Sequence, residues 1–405
     1  MTEKYKKYAE LLLKKGVCLE KNQPLVLVAP IEAIKFVRVL TEVAAQMGAG
    51  EIYYDWEDDY LKHTSLLYFD KNKIENSLFW NKTIHDIYAN KNAAFLYLIS
   101  ANDNIMSDIS NEKMNISRKK SIETREIYRN LQEDNKISWC IASVATKDWA
   151  KLIYPKEKNA LEKLWNTIFD ICLINDDDSI KNWNNKLARS EELSKKISNM
   201  NIKSLHYKNS LGTDLTIELA ENNIWCDGSS IINGKKLLVN IPTEEVFTTP
   251  NKYKTNGIVY CSKPLVHNGI RIDNIKLVFK DGKVIEYDST TGKEELGNII
   301  NYDEDSSRLG EAALVDYNSK ISNSNILFYE TLFDENAACH IALGAGFKEC
   351  IDNGSNLTEE ELDKIGYNIS KEHVDIMMGT KDLNITATTY DNKTIELFKN
   401  GSFNI

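Results

Sequence analysis

The sequence predicts two domains: an α/β N-terminal domain on an open, mainly parallel sheet, and an α+β, mainly antiparallel C-terminal domain. Three observations carry the prediction. In the first half, apolar runs alternate with stretches of helical periodicity, the pattern of strands joined by crossover helices. From Leu205 the texture changes to short strands separated by turn residues. A chain of 405 residues is also longer than one ordinary core requires. The boundary is expected near residue 200, giving domains 1–200 and 201–405.

The elements follow in order. Lys4 to Lys15 has amphipathic helical spacing and stops at Gly16. Leu25 to Ala29 (LVLVA) is a continuous apolar run, as in a strand covered on both faces. Ile31 to Met47 is helical in period and ends at Gly48, a C-cap residue. Strand signals recur at Glu51 to Asp55, Ala94 to Ile99 and Trp139 to Ala145, with one long polar helix pattern over Ile116 to Asn135. Helical text runs from Trp149 to about Met200, interrupted at Asn175 to Asp178. Beyond it, Asp281-Gly282 lies between two alternating runs, which predicts a hairpin with a primed turn.

Composition narrows the function classes. Hydrophobic residues make up 42% and charged residues 27%, enough for a sizeable core. The net charge of −10, from 50 basic and 60 acidic residues, argues against a dedicated nucleic-acid binder. The N-terminus lacks the apolar core of a signal peptide, and no window reaches the ~20 apolar residues that span a bilayer. Seven cysteines, an odd number with no CxxC pair, suit reduced thiols in the cytoplasm.

The chemistry concentrates in the second half. There is no HExxH, P-loop or GxSxG, and Gly344-Ala345-Gly346 lacks the preceding strand of a glycine fingerprint. His373-Val374-Asp375 sits in strand-like HVDIMMG, where residues i and i+2 project from one face and can converge on a cation. Taken alone, such a triplet more often marks a surface strand with a His and an Asp. His340 falls in LFDENAACHIALGAGF, where Asp334 reads as an N-cap and Ala337 to Leu343 as a short helix. A lone helical histidine among alanines is more often packed than a ligand. Glu311, after Gly310, is either a solvated helix start or a carboxylate aimed into a cleft. Glu244-Glu245, between Pro242 and Pro250, is a like-charge pair that a cation or base would relieve. Together these supply two imidazoles and at least three carboxylates, a ligand set for a dinuclear site of Zn²⁺, Co²⁺ or Mn²⁺. Two such ions lower the pKa of a water and polarise a carbonyl, which is the chemistry of amide hydrolysis.

In chain order, NIPTEEVFTTP, NGIVYCSKPL, IDNIKLVFKDGKV, LGEAALV, LFYETLFDENAACHIALG and HVDIMMGTKDL resemble the thermophilic-type (M29, aminopeptidase T/S) family of metallo-aminopeptidases. WEDDYLKHTSLLY and Trp149-Ala150-Lys151 extend the likeness to the first half. The resemblance implies a catalytic C-terminal domain with two divalent metals held by Glu245, Glu311, His340, His373 and Asp375. Glu244 is the alternative to Glu245. The mechanism it implies uses Glu311, or the partner in the Glu244-Glu245 pair, to take a proton from water and pass it to the leaving amine. Asp334 and Glu335 are either helix-start residues or acids that fix the substrate's α-amino group. The likeness further implies a homodimer that encloses its sites and admits short peptides. One position departs from the family: Phe347 stands where a tyrosine is expected, seven residues after the histidine of ENAACH. A degenerate homologue that binds metal or peptide without turnover is therefore one alternative. A nucleotide-binding N-terminal half is another, although no phosphate-cradling glycine loop is present.

Overall fold

The computed structural model describes the chain except residues 78, 103, 104 and 124, and except the side chains of 77, 79–82, 122 and 133. Its contacts divide into two compact units. The first comprises Met1–Asn185 with Ser229–Thr243 and Asn268–Ile270; the second comprises Lys186–Gly228, Glu244–His267 and Arg271–Ile405. The division thus falls after Asn185, and two later segments join the first unit.

In the first unit, five parallel strands form one sheet in the order Asn240–Ile241, Trp139–Ser143, Ala94–Ile99, Leu25–Pro30, Ile52–Glu57. The LVLVA run is buried throughout, because helices cover both faces of a parallel sheet. The first helix, Thr2–Leu11, continues as a π-turn over Leu12–Gly16. It packs Tyr5 and Tyr8 edge-on against Phe169, and beside them lie Phe36 and Trp165. Such aromatic pairs contribute ~0.5–1.5 kcal/mol each beyond their buried area. The polar stretch expected as one helix over Ile116 to Asn135 is two, Asn111–Glu123 and Glu126–Glu133. Among the described residues, no helix is long and apolar enough to cross a membrane.

The strands of the second unit pair antiparallel. An eight-stranded sheet carries the hairpin Lys276–Lys280 to Lys283–Asp288, whose two turn residues, Asp281 and Gly282, have φ of 49° and 80°. Both angles are positive, as a primed two-residue turn requires. A five-stranded sheet carries the chemistry, in the order His373–Met377, His340–Gly344, Leu309–Val315, Glu245–Thr248, Cys226–Asp227.

Register decides which side chains meet on this second sheet. Ala342 pairs with both Glu311 and Asp375, His340 with Ala313, Gly344 with His373, and Glu245 with Val315. Directly paired residues share a face and alternate residues return to it. Glu245, Glu311, His340, His373 and Asp375 therefore all project from one face, where Ala313, Ala342 and Gly344 leave space between them. The opposite face carries Val246, Leu314, Ile341, Val374 and Ile376 into the main core of the unit. Each such buried aliphatic side chain contributes ~1.5–3 kcal/mol. A bulge at Gly310 shifts the register between Leu309 and Glu311. A Cβ on Gly310 would lie 2.1 Å from the Ala345 carbonyl oxygen, so only glycine permits this approach.

Two sequence expectations are corrected here. His340 does not lie on a helix: it opens a strand paired on both edges. The alanines read as helical, but the two ladders of backbone hydrogen bonds outweigh that modest preference. Asp334 is not an N-cap either; it lies inside the short helix Thr331–Glu335, which Glu330 caps through the Leu332 amide.

Candidate metal centre

The five site residues meet as two triads that share one member. Ligand atoms of Glu245, Glu311 and His340 lie within 4.8 Å of one another, and so do those of Glu311, His373 and Asp375. His340 Nε2 is 3.1 Å from Glu245 Oε2 and 4.0 Å from Asp375 Oδ1. His373 Nε2 is 3.2 Å from Glu311 Oε2 and 3.4 Å from Asp375 Oδ1. Glu245, Glu311 and His340 are buried, while His373 and Asp375 are half-buried at the mouth.

The imidazoles are oriented from behind. His373 Nδ1 donates to the Ala345 carbonyl at 2.8 Å, and His340 Nδ1 faces the carbonyls of Glu335 and Ala338, both at 3.1 Å. Each backbone oxygen holds the proton on Nδ1, so both Nε2 atoms face the carboxylates.

Sequence reasoning left three acids open, and the structure separates them. Glu244 turns away to pair with Lys186 at 2.6 Å, leaving Glu245 in the cluster. Asp334 spends its carboxylate on the backbone N–H groups of Phe328 (3.1 Å) and Glu330 (3.3 Å). Glu335 joins the cluster: it is buried and hydrogen-bonds Asp375. Its position depends on a helical turn meeting the sheet, which spacing in the chain does not encode.

Electrostatics reflect crowding of charge out of water. Burial, reinforced by Asp375, raises Glu311 to about 7 despite its contact with His373. Burial, with Asp375 and Glu245 close by, holds Glu335 well above the carboxylate range. His340 is pushed up to about 10: burial opposes its charge, but the Glu245 hydrogen bond and the nearby Glu311 and Asp375 outweigh that cost. His373 is likewise raised against its burial by Asp375 and Glu311. Asp375 is held low, because His373 and His340 overcome the effect of burial.

Two triads that share Glu311, with Glu335 hydrogen-bonded to Asp375, bring four carboxylates and two imidazoles into one cluster whose donors fit hard-to-borderline divalent cations. Over the mouth lies Phe347, edge-on to His373 with ring centroids 4.9 Å apart and to Phe247 at 5.2 Å. Tyr367 nearby donates its hydroxyl to the Gly346 carbonyl at 2.6 Å.

A carboxylate–imidazole cluster on one face of an antiparallel sheet, in a chain that also holds an α/β unit, fits the class of metal-dependent hydrolases. The comparisons are more specific. Residues 1–403 match the model of the thermophilic metalloprotease family M29. Aminopeptidase 2 of Geobacillus stearothermophilus is 37% identical over 403 residues, covering 98% of this chain and 97% of its own. Aminopeptidase T of Thermus thermophilus is 31% identical over 98% of this chain and 97% of its own. The structure of wild-type AmpT from Thermus thermophilus superimposes with a TM-score of 0.91 at 29% identity, covering 99% of both chains. The chain belongs to the thermophilic metalloprotease family M29, whose members are peptidases that use divalent metal ions.

Proposed function

We propose that this protein is a metallo-aminopeptidase that releases N-terminal residues from short peptides with two divalent cations. The observation that carries the reading is the sharing of Glu311 by two triads, whose ligand atoms lie within 4.8 Å. Glu245, Glu311 and His340 would hold one cation, and Glu311, His373 and Asp375 the other. Glu335 is a further donor within the same cluster. Two divalent charges match the four carboxylates when both imidazoles are neutral. The relatives' common name, aminopeptidase, supports the substrate class.

Bound there, two such cations supply the Lewis acidity that acidifies water and polarises a peptide carbonyl. The chain's own groups do the rest. Glu311 Oε2, which faces His373 Nε2 at 3.2 Å, takes the proton of the attacking water and passes it to the leaving amine. The Ala345 carbonyl keeps His373 in one tautomer throughout. Phe347 packs its ring edge-on against His373 and gives that side of the cluster an apolar edge.

The test is to strip the protein with chelator and restore Zn²⁺, Co²⁺ or Mn²⁺ separately, assaying a panel of aminoacyl substrates while counting bound metal. Turnover that requires two equivalents and is lost in His340→Ala supports the reading. Two tightly bound equivalents without turnover would favour the second reading, a binding homologue, which Phe347 motivates.

Two further expectations belong to this proposal. A homodimer is supported by the exposed apolar residues Tyr60, Leu61 and Tyr68 on the helix Asp59–Tyr68, and a monomer in sedimentation would refute it. A cytoplasmic location is supported by the odd number of cysteines, seven, with no CxxC pair. A nucleotide-binding first unit is disfavoured, because the crevice beside its strand ends carries Glu32, Glu57, Asp58, Asp59 and Asp148, which repel phosphate.

A further inference from the structure

We infer that Asn336 is a positioning residue that ties the Glu245 segment to the Glu335 carboxylate and so sets the spacing at one end of the metal cluster. The inference rests on the two-cation reading.

Asn336 is fully buried, and its side-chain amide links three separate groups. Oδ1 accepts the backbone N–H of Glu244 at 2.7 Å, immediately before Glu245 in the chain. Nδ2 donates to the Leu332 carbonyl at 2.9 Å and to Glu335 Oε1 at 3.3 Å. Both amide protons and one oxygen lone pair are thereby used. The two carboxylate-bearing segments come from distant stretches of chain: the strand Glu245–Thr248 and the turn after Thr331–Glu335. Thr331–Glu335 is a helix of only five residues, too short to hold a carboxylate by its own stability.

The residue type follows from these contacts. A buried site that must accept from one N–H and donate to a carbonyl and a carboxylate needs a short side chain with both capacities. Aspartate has the shape but offers no proton when ionised, and it adds a carboxylate beside four others. Alanine leaves the Glu244 N–H and the Leu332 carbonyl without this partner in a dry interior, and frees Glu335 to turn. Groups that orient metal ligands typically account for roughly 10–100-fold in metal affinity when removed.

The experiment titrates metal-free full-length protein with Co²⁺ alone, by calorimetry and by the visible absorption of bound Co²⁺. Wild type, Asn336→Ala, Asn336→Asp and Glu335→Gln are compared, and the thermal unfolding of each metal-free form is recorded. Wild type is expected to bind two equivalents. Asn336→Ala and Asn336→Asp are expected to lose roughly 10–100-fold in affinity for one equivalent while the other is retained, to match Glu335→Gln in which equivalent is weakened, and to unfold near the wild-type temperature. If the alanine variant does not fold, the aspartate variant decides, since it retains an acceptor for the Glu244 N–H. Wild-type affinity for both equivalents in the variants overturns the role. Equal loss of both, together with a lowered unfolding temperature, also overturns it and marks Asn336 as structural. Fewer than two equivalents in wild type refutes the two-cation reading and the inference with it.

Discussion

His373 Nε2 lies 3.2 Å from Glu311 Oε2, while the opposite ring nitrogen donates to the Ala345 carbonyl at 2.8 Å. The imidazole is thus fixed from behind and turns Nε2 to the side where Glu311 lies. The bulge at Gly310 places Glu311 on that face, so a glycine with no chemistry of its own determines where the proton carrier sits.

Glu311→Gln preserves size and removes both the proton acceptor and the carboxylate that the two triads share. The expected result is a loss of ~10²–10⁴-fold in kcat with a much smaller change in KM. Steady-state kinetics on an aminoacyl substrate, with metal content measured alongside, checks it. Full activity in this variant would move proton transfer to another group.

The cluster also predicts how metal binding depends on pH. Without metal, His340 is pushed up to about 10 against an unfolded value of 6.5, so its folded form holds a proton that the unfolded chain has released. Its contribution to stability is full below 6.5 and is lost as pH rises through about 10. Metal must displace that proton and the one on His373, so metal affinity rises with pH while the stability of the metal-free protein falls over the same window. Calorimetric Co²⁺ titrations in buffers of different ionisation enthalpy should show release of at least two protons at neutral pH, with Glu311 and Glu335 adding to the two imidazoles. An affinity indifferent to pH would sink this account.

Much of the site was legible in the sequence because strand periodicity is simple. In HVDIMMG the i, i+2 spacing places His373 and Asp375 on one face whatever the fold, and the structure keeps them there. His340 was legible as a residue but not as an element, since its alanine-rich surroundings suit a helix until two neighbouring strands claim the backbone. The choice between Glu244 and Glu245 depends on one residue of register, which no local pattern reveals. Glu335 was legible only as a candidate acid without a place, and Asn336 not at all, for a similar reason. Their neighbours are Asp375 and the Glu244 amide, brought close only by the folded unit.

Asp334 and Glu335 are adjacent in the chain yet should respond differently to loss of charge. Asp334 is raised by burial to about 6, so the folded state favours its neutral form. Its contribution is present below the ordinary carboxylate range and lost as pH rises through about 6. Asp334→Asn should flatten the dependence of unfolding temperature on pH between these limits and leave metal stoichiometry unchanged. Glu335→Gln should instead weaken metal binding, and its own effect on the slope should extend to higher pH, since burial raises Glu335 as well. Scanning calorimetry across acidic pH, paired with metal titration, distinguishes them; identical behaviour of the two variants would refute the separation of roles.

Phe347 offers the most direct test of how the reaction is completed. Its ring stands edge-on to His373 at 4.9 Å, and the hydroxyl of nearby Tyr367 is committed to the Gly346 carbonyl. No phenol from these two positions is therefore placed to donate to a developing oxyanion. Phe347→Tyr adds one hydroxyl to a half-buried ring without altering its packing against Phe247. A correctly aimed donor stabilises the transition state more than bound substrate, so kcat should rise with KM little changed. The upper bound is the ~10²–10³-fold that one such donor contributes elsewhere. Metal affinity should stay constant, because the ring supplies no ligand in either form. An unchanged kcat would mean that the cations alone stabilise the oxyanion, and that the phenylalanine serves only to pack over His373.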